Sequence, residues 1–194
     1  PKALNIKGNR AQEAERRGFH SVWLYDHFFD YPSAGNAAVL EAFTTMTALA
    51  LWTKTIRVGT LVFCDGYRPP ALLAKKVATL DVLSGGRLEI GYGAGWHEAE
   101  TRAYGYEFPP VSERIARMEE SLEILRSLWS DGAATFHGAH HRVERALCEP
   151  RPIQRPHPPI TIGGGGEKLL LRAVARYADW WNYFPSPLPE YERK

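Results

Sequence analysis

The stretch PPALLAKKVATLDVLSGGRLEIGYGAGW, residues 69–96, decides the fold. Its two prolines can open a helix, because proline lacks only a backbone donor that the first turn leaves unused. Apolar residues recur at helical spacing up to Ser84, and Gly85-Gly86 then supplies a turn. The apolar run Leu88–Tyr92 is short enough to be a buried strand. A helix, a glycine turn and a strand in this order form one unit of a parallel α/β sheet.

The same unit recurs toward the N-terminus. Buried strands are predicted over Phe19–Tyr25 and Ile56–Phe63, and successive strands start roughly 30 to 40 residues apart, the length of one strand-and-helix unit. The accompanying helices are predicted over Arg10–Arg17 and Leu40–Trp52. We interpret Leu4–Ile6 as the remnant of a first strand.

Beyond Trp96 the repeat is interrupted. Residues 98–158 are predicted to form an insertion between strands, with a long amphipathic helix over Ser112–Trp129 and a polar, proline-rich segment over His137–Pro158. The alternation then resumes with a strand, a helix and a strand, over Pro159–Ile162, Glu167–Tyr177 and Trp180–Phe184. We therefore expect a single domain over residues 1–194 with six strands at most.

The length limits how such a sheet can close. A chain of 194 residues, 44% of them apolar or aromatic, can bury one sizeable core without disulfides. A closed (β/α)₈ barrel, however, typically needs ~250 residues. Either the sheet is open, or part of a barrel lies outside this sequence.

The amino-acid composition indicates which classes of partner and which cellular compartment to expect. The 24 Lys and Arg residues are scattered among 22 Asp and Glu residues, which argues against a nucleic-acid partner. Cys64 and Cys148 lie far apart, as is typical of a reducing compartment. The histidines of HGAHH, residues 137–141, lack other ligands at suitable spacing, so no metal site is expected. No apolar run approaches the ~20 residues of a membrane span, and we expect a cytoplasmic protein without a membrane partner.

Candidate site residues follow the predicted strands, because loops at the carboxyl ends of parallel strands converge on one site. Asp26-His27 pairs an acceptor with a side chain that titrates near neutrality, although a capping aspartate beside a hydrogen-bonded histidine is the alternative. The run Gly163–Gly166 suits a phosphate, although a flexible turn would also use glycines. Gly91, Gly93 and Gly95 have no side chains, as would be required for a flat ring to lie directly against the strand. These features together predict a site for a ring cofactor that bears a phosphate.

Two aromatic residues are candidates for a substrate pocket. Trp96 directly follows the glycine-rich strand end, and Tyr31 follows Asp26-His27 by a few residues. Tryptophan and tyrosine often line pockets for organic molecules, although ordinary core packing is the alternative for each.

Several stretches together resemble the bacterial luciferase-like monooxygenase family, and most closely its members that use the deazaflavin coenzyme F420. They include AQEAERRGFHSVWLYDHF (11–28), IRVGTLV (56–62), the segment from residue 67 to residue 96, and PRPIQRPHPPITIGGGGE (150–167). The resemblance implies a TIM (β/α)₈ barrel of the luciferase-like type, represented by about its first six strands. It also implies a homodimer. On this basis we expect a longer natural chain, clipped here near the N-terminus and incomplete at the C-terminus.

The resemblance also implies roles for individual residues. Asp26 would hydrogen-bond the deazaflavin ring, and His27 would be the active-site acid or base. Other coenzyme contacts would come from the Leu61–Val62 peptide, expected to be cis, and from Cys64, Gly93, Gly163, Gly164, Gly165 and Gly166. Trp96 stands where the family's sugar-phosphate dehydrogenases have a catalytic glutamate, which argues against that substrate.

The expected function is hydride transfer between F420 and a small organic substrate. An FMN-dependent monooxygenase is the alternative enzyme. A shortened flavin-binding protein without catalysis is the alternative outside enzymes.

Overall fold

Helices and strands alternate along most of the described chain. The computed structural model describes residues 2–30, 38–130 and 132–194, with residues 2–7 by their backbone alone. The helices are α1 (Lys2–Arg16), α2 (Ala42–Trp52), α3 (Pro70–Ser84), α4 (Glu98–Ala103), α5 (Val111–Trp129), α6 (Leu170–Tyr177) and α7 (Leu188–Arg193). The strands are β1 (Ser21–Leu24), β2 (Arg57–Thr60), β3 (Phe63–Cys64), β4 (Leu88–Gly93), β5 (Ala134–His137), β6 (Arg142–Ala146), β7 (Ile160–Gly163) and β8 (Trp180–Asn182).

Six of these strands form one parallel sheet. Their order is β1-β2-β4-β7-β8, and β3 pairs with β4 beyond the end of β2. The register places Val58 opposite Leu88 and Ile90 opposite Ile160. Every connection between neighbouring parallel strands runs through helical or inserted segments, so the carboxyl ends of the strands share one edge. This confirms the α/β class and the predicted alternation.

Two predicted strands are wrong in detail. The run Ile56–Phe63 is divided into β2 and β3, because the chain leaves the sheet at Leu61 and Val62, whose peptide bond is cis as expected. The proposed first-strand remnant, Leu4–Ile6, lies within α1. It forms one helix together with the helix-forming residues that follow it. As a result, β1 stands at the edge of the sheet and has no partner on its outer side among the described strands.

The core lies between the sheet and a layer of helices. Its fully buried members come from both layers and include Met46, Leu73, Val77, Ile90, Met118, Leu122, Leu125 and Ile162. The N–H of the Trp129 indole donates to the carbonyl of Ala74 at 3.1 Å, which joins α5 to α3. Gly85 ends α3 in the left-handed conformation at φ +69°, as the sequence predicts.

Between β4 and β7 the chain forms α4, α5 and a two-stranded antiparallel hairpin of β5 and β6. The hairpin was not predicted, because its strands are short and half-exposed and their alternation is weak. The proline-rich return is tied to α3 by the buried carboxylate of Asp81, which accepts hydrogen bonds from the N–H groups of Ile153 (2.7 Å) and Gln154 (3.0 Å).

Within the described part of the chain, helices that combine the length and the apolar character needed to traverse a lipid bilayer are absent.

Candidate active site

A cavity of about 780 Å³ opens at the carboxyl ends of the strands. It is enclosed by the ends of β1, β3, β4, β7 and β8 and by α5. Eleven of the residues predicted from the sequence line it: Asp26, His27, Leu61, Val62, Cys64, Gly93, Gly95, Trp96, Gly163, Gly164 and Gly166. Gly165 is not among the lining residues, and Tyr31 lies outside the described part of the chain. The structure therefore brings residues from five strand ends to one site.

His27 is held by a buried carboxylate. Its Nδ1 lies 2.8 Å from Oε2 of Glu100, whose side chain is completely buried. The other oxygen of Glu100 accepts the backbone N–H groups of Phe28 (2.6 Å) and Phe29 (2.7 Å). Burial opposes ionisation of Glu100, but these N–H groups and His27 lower the pKa of the carboxyl. Glu100 thus binds both the imidazole and the loop that follows it.

Glu100 was missed by the sequence reasoning. It is the third residue of the short helix α4, whose first turn His97 caps through Nδ1, which accepts the Glu100 N–H at 3.1 Å. An acidic residue at this position normally signals a helix N-terminus. That signal was present, but it does not reveal that the side chain turns away from its own helix to the loop after β1.

Asp26 is bound by Arg68 and by the backbone of β3. Arg68 donates hydrogen bonds of 2.6 and 2.7 Å to the two carboxylate oxygens, and the Cys64 N–H donates a third at 2.9 Å. Burial raises the pKa of Asp26, while the hydrogen bonds and the charge of Arg68 oppose that shift. A carboxylate has about four acceptor positions, so three are occupied by described residues. The ring contact implied for Asp26 would use the remaining one, and it stays a prediction.

The glycines of β4 and β7 pack closely against the segment between β2 and β3, and their predicted contact with a flat ring stays a prediction. A Cβ at Gly93 would lie 2.7 Å from Cγ2 of Val62, and one at Gly163 would lie 3.0 Å from Cγ1. A Cβ at Gly91 would overlap the carbonyl oxygen of Thr60. These glycines make room for the segment that leaves the sheet between β2 and β3. A flat ring at this place would therefore meet Val62, and not only bare glycine backbone.

The run Gly163–Gly166 is only partly exposed to the cavity. Gly164, at φ +123°, donates its N–H to the carbonyl of Asn182 at 2.9 Å, and Gly165 lies against the ring of Tyr183. The following helix begins at Leu170 and not at Glu167, because residues 167–169 form a turn. Gly163, Gly164 and Gly166 still line the cavity, so the predicted phosphate contact would come from them.

Cys64 and Trp96 line the cavity in different ways. Burial raises the pKa of Cys64 to about 12, so the side chain is a neutral thiol near pH 7 and contributes packing rather than a nucleophile. Trp96 is 55% exposed, so the core-packing interpretation is wrong. Its ring lies 5.6 Å from that of His27, centroid to centroid. Trp96 therefore stands beside the histidine at the wall of the cavity.

Comparison with known proteins places this geometry in a family. A family model described as luciferase-like monooxygenase matches residues 4–194. The chain is 36% identical over 169 residues to an F420-dependent glucose-6-phosphate dehydrogenase of Amycolatopsis mediterranei, covering 87% of this chain and 48% of the relative. It is 34% identical over 171 residues to an FMNH₂-dependent dimethylsulfone monooxygenase of Pseudomonas putida, covering 88% and 46%.

The fold agrees with the sequence relationship. A solved F420-dependent secondary alcohol dehydrogenase, in complex with an F420-acetone adduct, superposes with a TM-score of 0.80 at 26% identity, over 98% of this chain and 59% of that chain. The chain thus spans about half the length of the curated relatives it matches, and its six-stranded parallel sheet forms part of a barrel of the luciferase-like type. The chain belongs to the luciferase-like monooxygenase family.

Proposed function

We propose that the protein is an oxidoreductase that transfers a hydride between the deazaflavin coenzyme F420 and a small organic substrate. The observation that carries this proposal is the position of His27. The imidazole lines the cavity at the strand ends, and the buried Glu100 holds its Nδ1 at 2.8 Å. A histidine oriented in this way suits a reaction that moves a proton together with a hydride.

The residues of the cavity fit such a coenzyme. A volume of about 780 Å³ lies within the range of ligand sites, ~300–1,000 Å³. Val62 offers an apolar surface to a flat ring, and the glycines 163, 164 and 166, which line the same cavity, have no side chains to block a phosphate. When bound, the deazaflavin supplies a ring carbon that accepts or donates a hydride.

The protein side of the reaction is orientation and proton handling. Asp26, fixed by Arg68, offers one acceptor position to a ring N–H. His27 takes the proton of a substrate hydroxyl during oxidation and returns it during reduction. Trp96 packs against the substrate beside the imidazole, which excludes water from the reacting atoms.

An FMN-dependent monooxygenase is the second candidate. The 34% identity to an FMNH₂-dependent enzyme supports it, and that value is close to the 36% identity to an F420-dependent one. Both coenzymes carry a flat tricyclic ring and a phosphate, so the features of the cavity suit either.

Coenzyme titration tests the proposal. The protein is titrated separately with F420 and with FMN, in oxidised and reduced form, and the coenzyme fluorescence is followed. We expect F420 to bind at least about tenfold more tightly than FMN, a difference of ~1.4 kcal/mol. Tight FMN binding without F420 binding would overturn the proposal in favour of the monooxygenase. Binding of neither would overturn both.

A further inference from the structure

We propose that Glu100 is a positioning residue that fixes the tautomer of His27, so that Nε2 is the nitrogen that exchanges the substrate proton. The part of this inference that concerns the substrate proton rests on the proposed function. The assignment of the tautomer itself rests only on contacts within the described chain.

The contacts around Glu100 specify which atoms are donors. Oε1 accepts from two backbone N–H groups, those of Phe28 and Phe29, and neither can act as an acceptor. Oε2 faces Nδ1 of His27 at 2.8 Å and also accepts from the hydroxyl of Tyr67 at 3.1 Å. An ionised carboxylate satisfies all of these donors, whereas a protonated carboxyl would place an extra hydrogen among them.

The tautomer of His27 follows from this arrangement. Because an ionised carboxylate only accepts hydrogen bonds, the hydrogen between it and His27 belongs to Nδ1. In the neutral imidazole only one nitrogen carries a hydrogen, so Nε2 has the lone pair and is the basic atom. The same division of roles orients catalytic histidines beside a buried carboxylate in other enzymes.

Among the residues that the structure describes around His27, the neighbouring titratable groups already have other partners. Nδ1 of His97 is already the acceptor for the Glu100 N–H, and the rings of His97 and Tyr25 lie 5.9 and 5.7 Å from that of His27. The charge of Asp26 is paired with Arg68. Tyr67 shares Oε2, and its hydroxyl also lies 3.4 Å from that of Thr101.

The substitution Glu100→Gln tests the inference because it keeps the shape of the side chain but replaces one acceptor oxygen with a donor NH₂ group. The amide oxygen is needed by the N–H groups of Phe28 and Phe29, so the amide nitrogen takes the position of Oε2 and donates to His27. His27 must then carry its hydrogen on Nε2, and the basic nitrogen faces away from the substrate proton. We expect turnover to fall by about 100-fold or more, with the coenzyme Kd unchanged within about threefold.

The tautomer is measured directly by two-bond ¹H–¹⁵N NMR of ¹⁵N-histidine-labelled protein at a pH where His27 is neutral. His27→Gln identifies the signal. We expect the Nδ1–H form in the parent protein and the Nε2–H form in Glu100→Gln. Glu98→Gln is the matched control, because Glu98 lies in the same helix, is exposed and pairs only with Arg102 among the contacts described. It should leave the tautomer and the turnover unchanged.

An Nε2–H form in the parent protein would overturn the inference, as would a Glu100→Gln variant with the parent tautomer and full turnover. If Glu100→Gln fails to fold, the spectrum of the parent protein still decides the tautomer. A protein with the Nδ1–H form but without turnover on either coenzyme would contradict the proposed function and leave the structural assignment standing.

Discussion

Arg68 binds the carboxylate of Asp26 through both of its terminal nitrogens, at 2.6 and 2.7 Å, and thereby links the end of β1 to the segment before α3. Arg68 also donates to Glu41 at 2.9 Å, and Glu41 caps the N-terminus of α2. One guanidinium therefore joins three loops at the carboxyl edge of the sheet. Both partners of the central pair are almost fully buried.

Arg68→Ala should strongly destabilise the fold. It leaves the buried charge of Asp26 without its partner, and breaking a buried ion pair costs about 3–5 kcal/mol. Chemical denaturation of the parent and the variant measures the difference. Arg102→Ala, which removes an exposed pair with Glu98, should change the free energy of unfolding by less than about 0.5 kcal/mol. Equal effects of the two substitutions would contradict the importance of the buried pair.

His27→Ala should lower turnover while coenzyme binding survives. The proposed role is proton transfer, and removal of a general acid or base typically costs 10²- to 10⁴-fold in rate, about 3–5 kcal/mol. Steady-state kinetics and the coenzyme titration together separate the two effects. The exposed His20 provides the control as His20→Ala. Unchanged turnover in His27→Ala would show that the role is wrongly assigned.

Gly93→Ala should destabilise the protein by about 1–3 kcal/mol, because its Cβ would lie 2.7 Å from Cγ2 of Val62. Shortening the partner should relieve the overlap. In the double variant Gly93→Ala, Val62→Ala, the measured cost should therefore be smaller than the sum of the single costs.

Gly66→Ala is the control for this pair, since a Cβ there would have no neighbour within 4 Å. Thermal unfolding of the five proteins, namely the parent, the two single variants, the double variant and the control, provides the comparison. Simple additivity of the Gly93 and Val62 effects would mean that the two side chains do not compete for the same space.

Glu15→Ala should remove a part of the stability that depends on pH. One oxygen of Glu15 accepts from the backbone N–H groups of Lys54, Thr55 and Ile56, at 2.7, 2.5 and 3.0 Å. Burial works against ionisation, but these hydrogen bonds lower the pKa of Glu15 from 4.5 to about 2. The folded state therefore favours the ionised carboxylate, and its contribution is complete above about pH 4.5 and disappears as the pH falls toward 2.

Urea denaturation at two pH values measures this contribution. At pH 7 the variant should be less stable by about 1 kcal/mol, a value reduced from the scale of charged hydrogen bonds because the carboxylate is partly exposed. Near pH 2 the difference should vanish. The exposed Glu192 serves as the control in Glu192→Ala. A difference that does not depend on pH would contradict the linkage.

The elements predicted from the sequence agree best with the structure where local sequence signals are strong. The helix Pro70–Ser84 was predicted with both ends correct, because proline at its start and glycine after its end act within one turn of chain. The hairpin of β5 and β6 was not predicted, since its strands are short and half-exposed and their hydrophobic alternation is weak. The homodimer implied by the family resemblance stays a prediction.

For the site, the sequence placed residues at strand ends but not their partners. We predicted that Asp26, His27, Cys64 and Gly93 lie at the carboxyl edge of the sheet, and all four line one cavity. It could not reveal that Arg68 binds Asp26 or that Glu100 binds His27. Each of these pairs joins residues more than 40 positions apart, and side-chain direction across such a distance depends on how the helices pack on the sheet.

The sequence by itself determined the main alternation of helices with parallel strands, although not the hairpin of β5 and β6, and it determined the edge of the sheet where the site lies. Hydrophobic periodicity, proline and glycine act locally, and the connection rules of parallel sheets then leave few topologies. Only the tertiary structure decided what the glycines accommodate and which carboxylate orients His27. Those features arise from contacts between distant segments, where the space and the hydrogen-bond partners exist only after the core has formed.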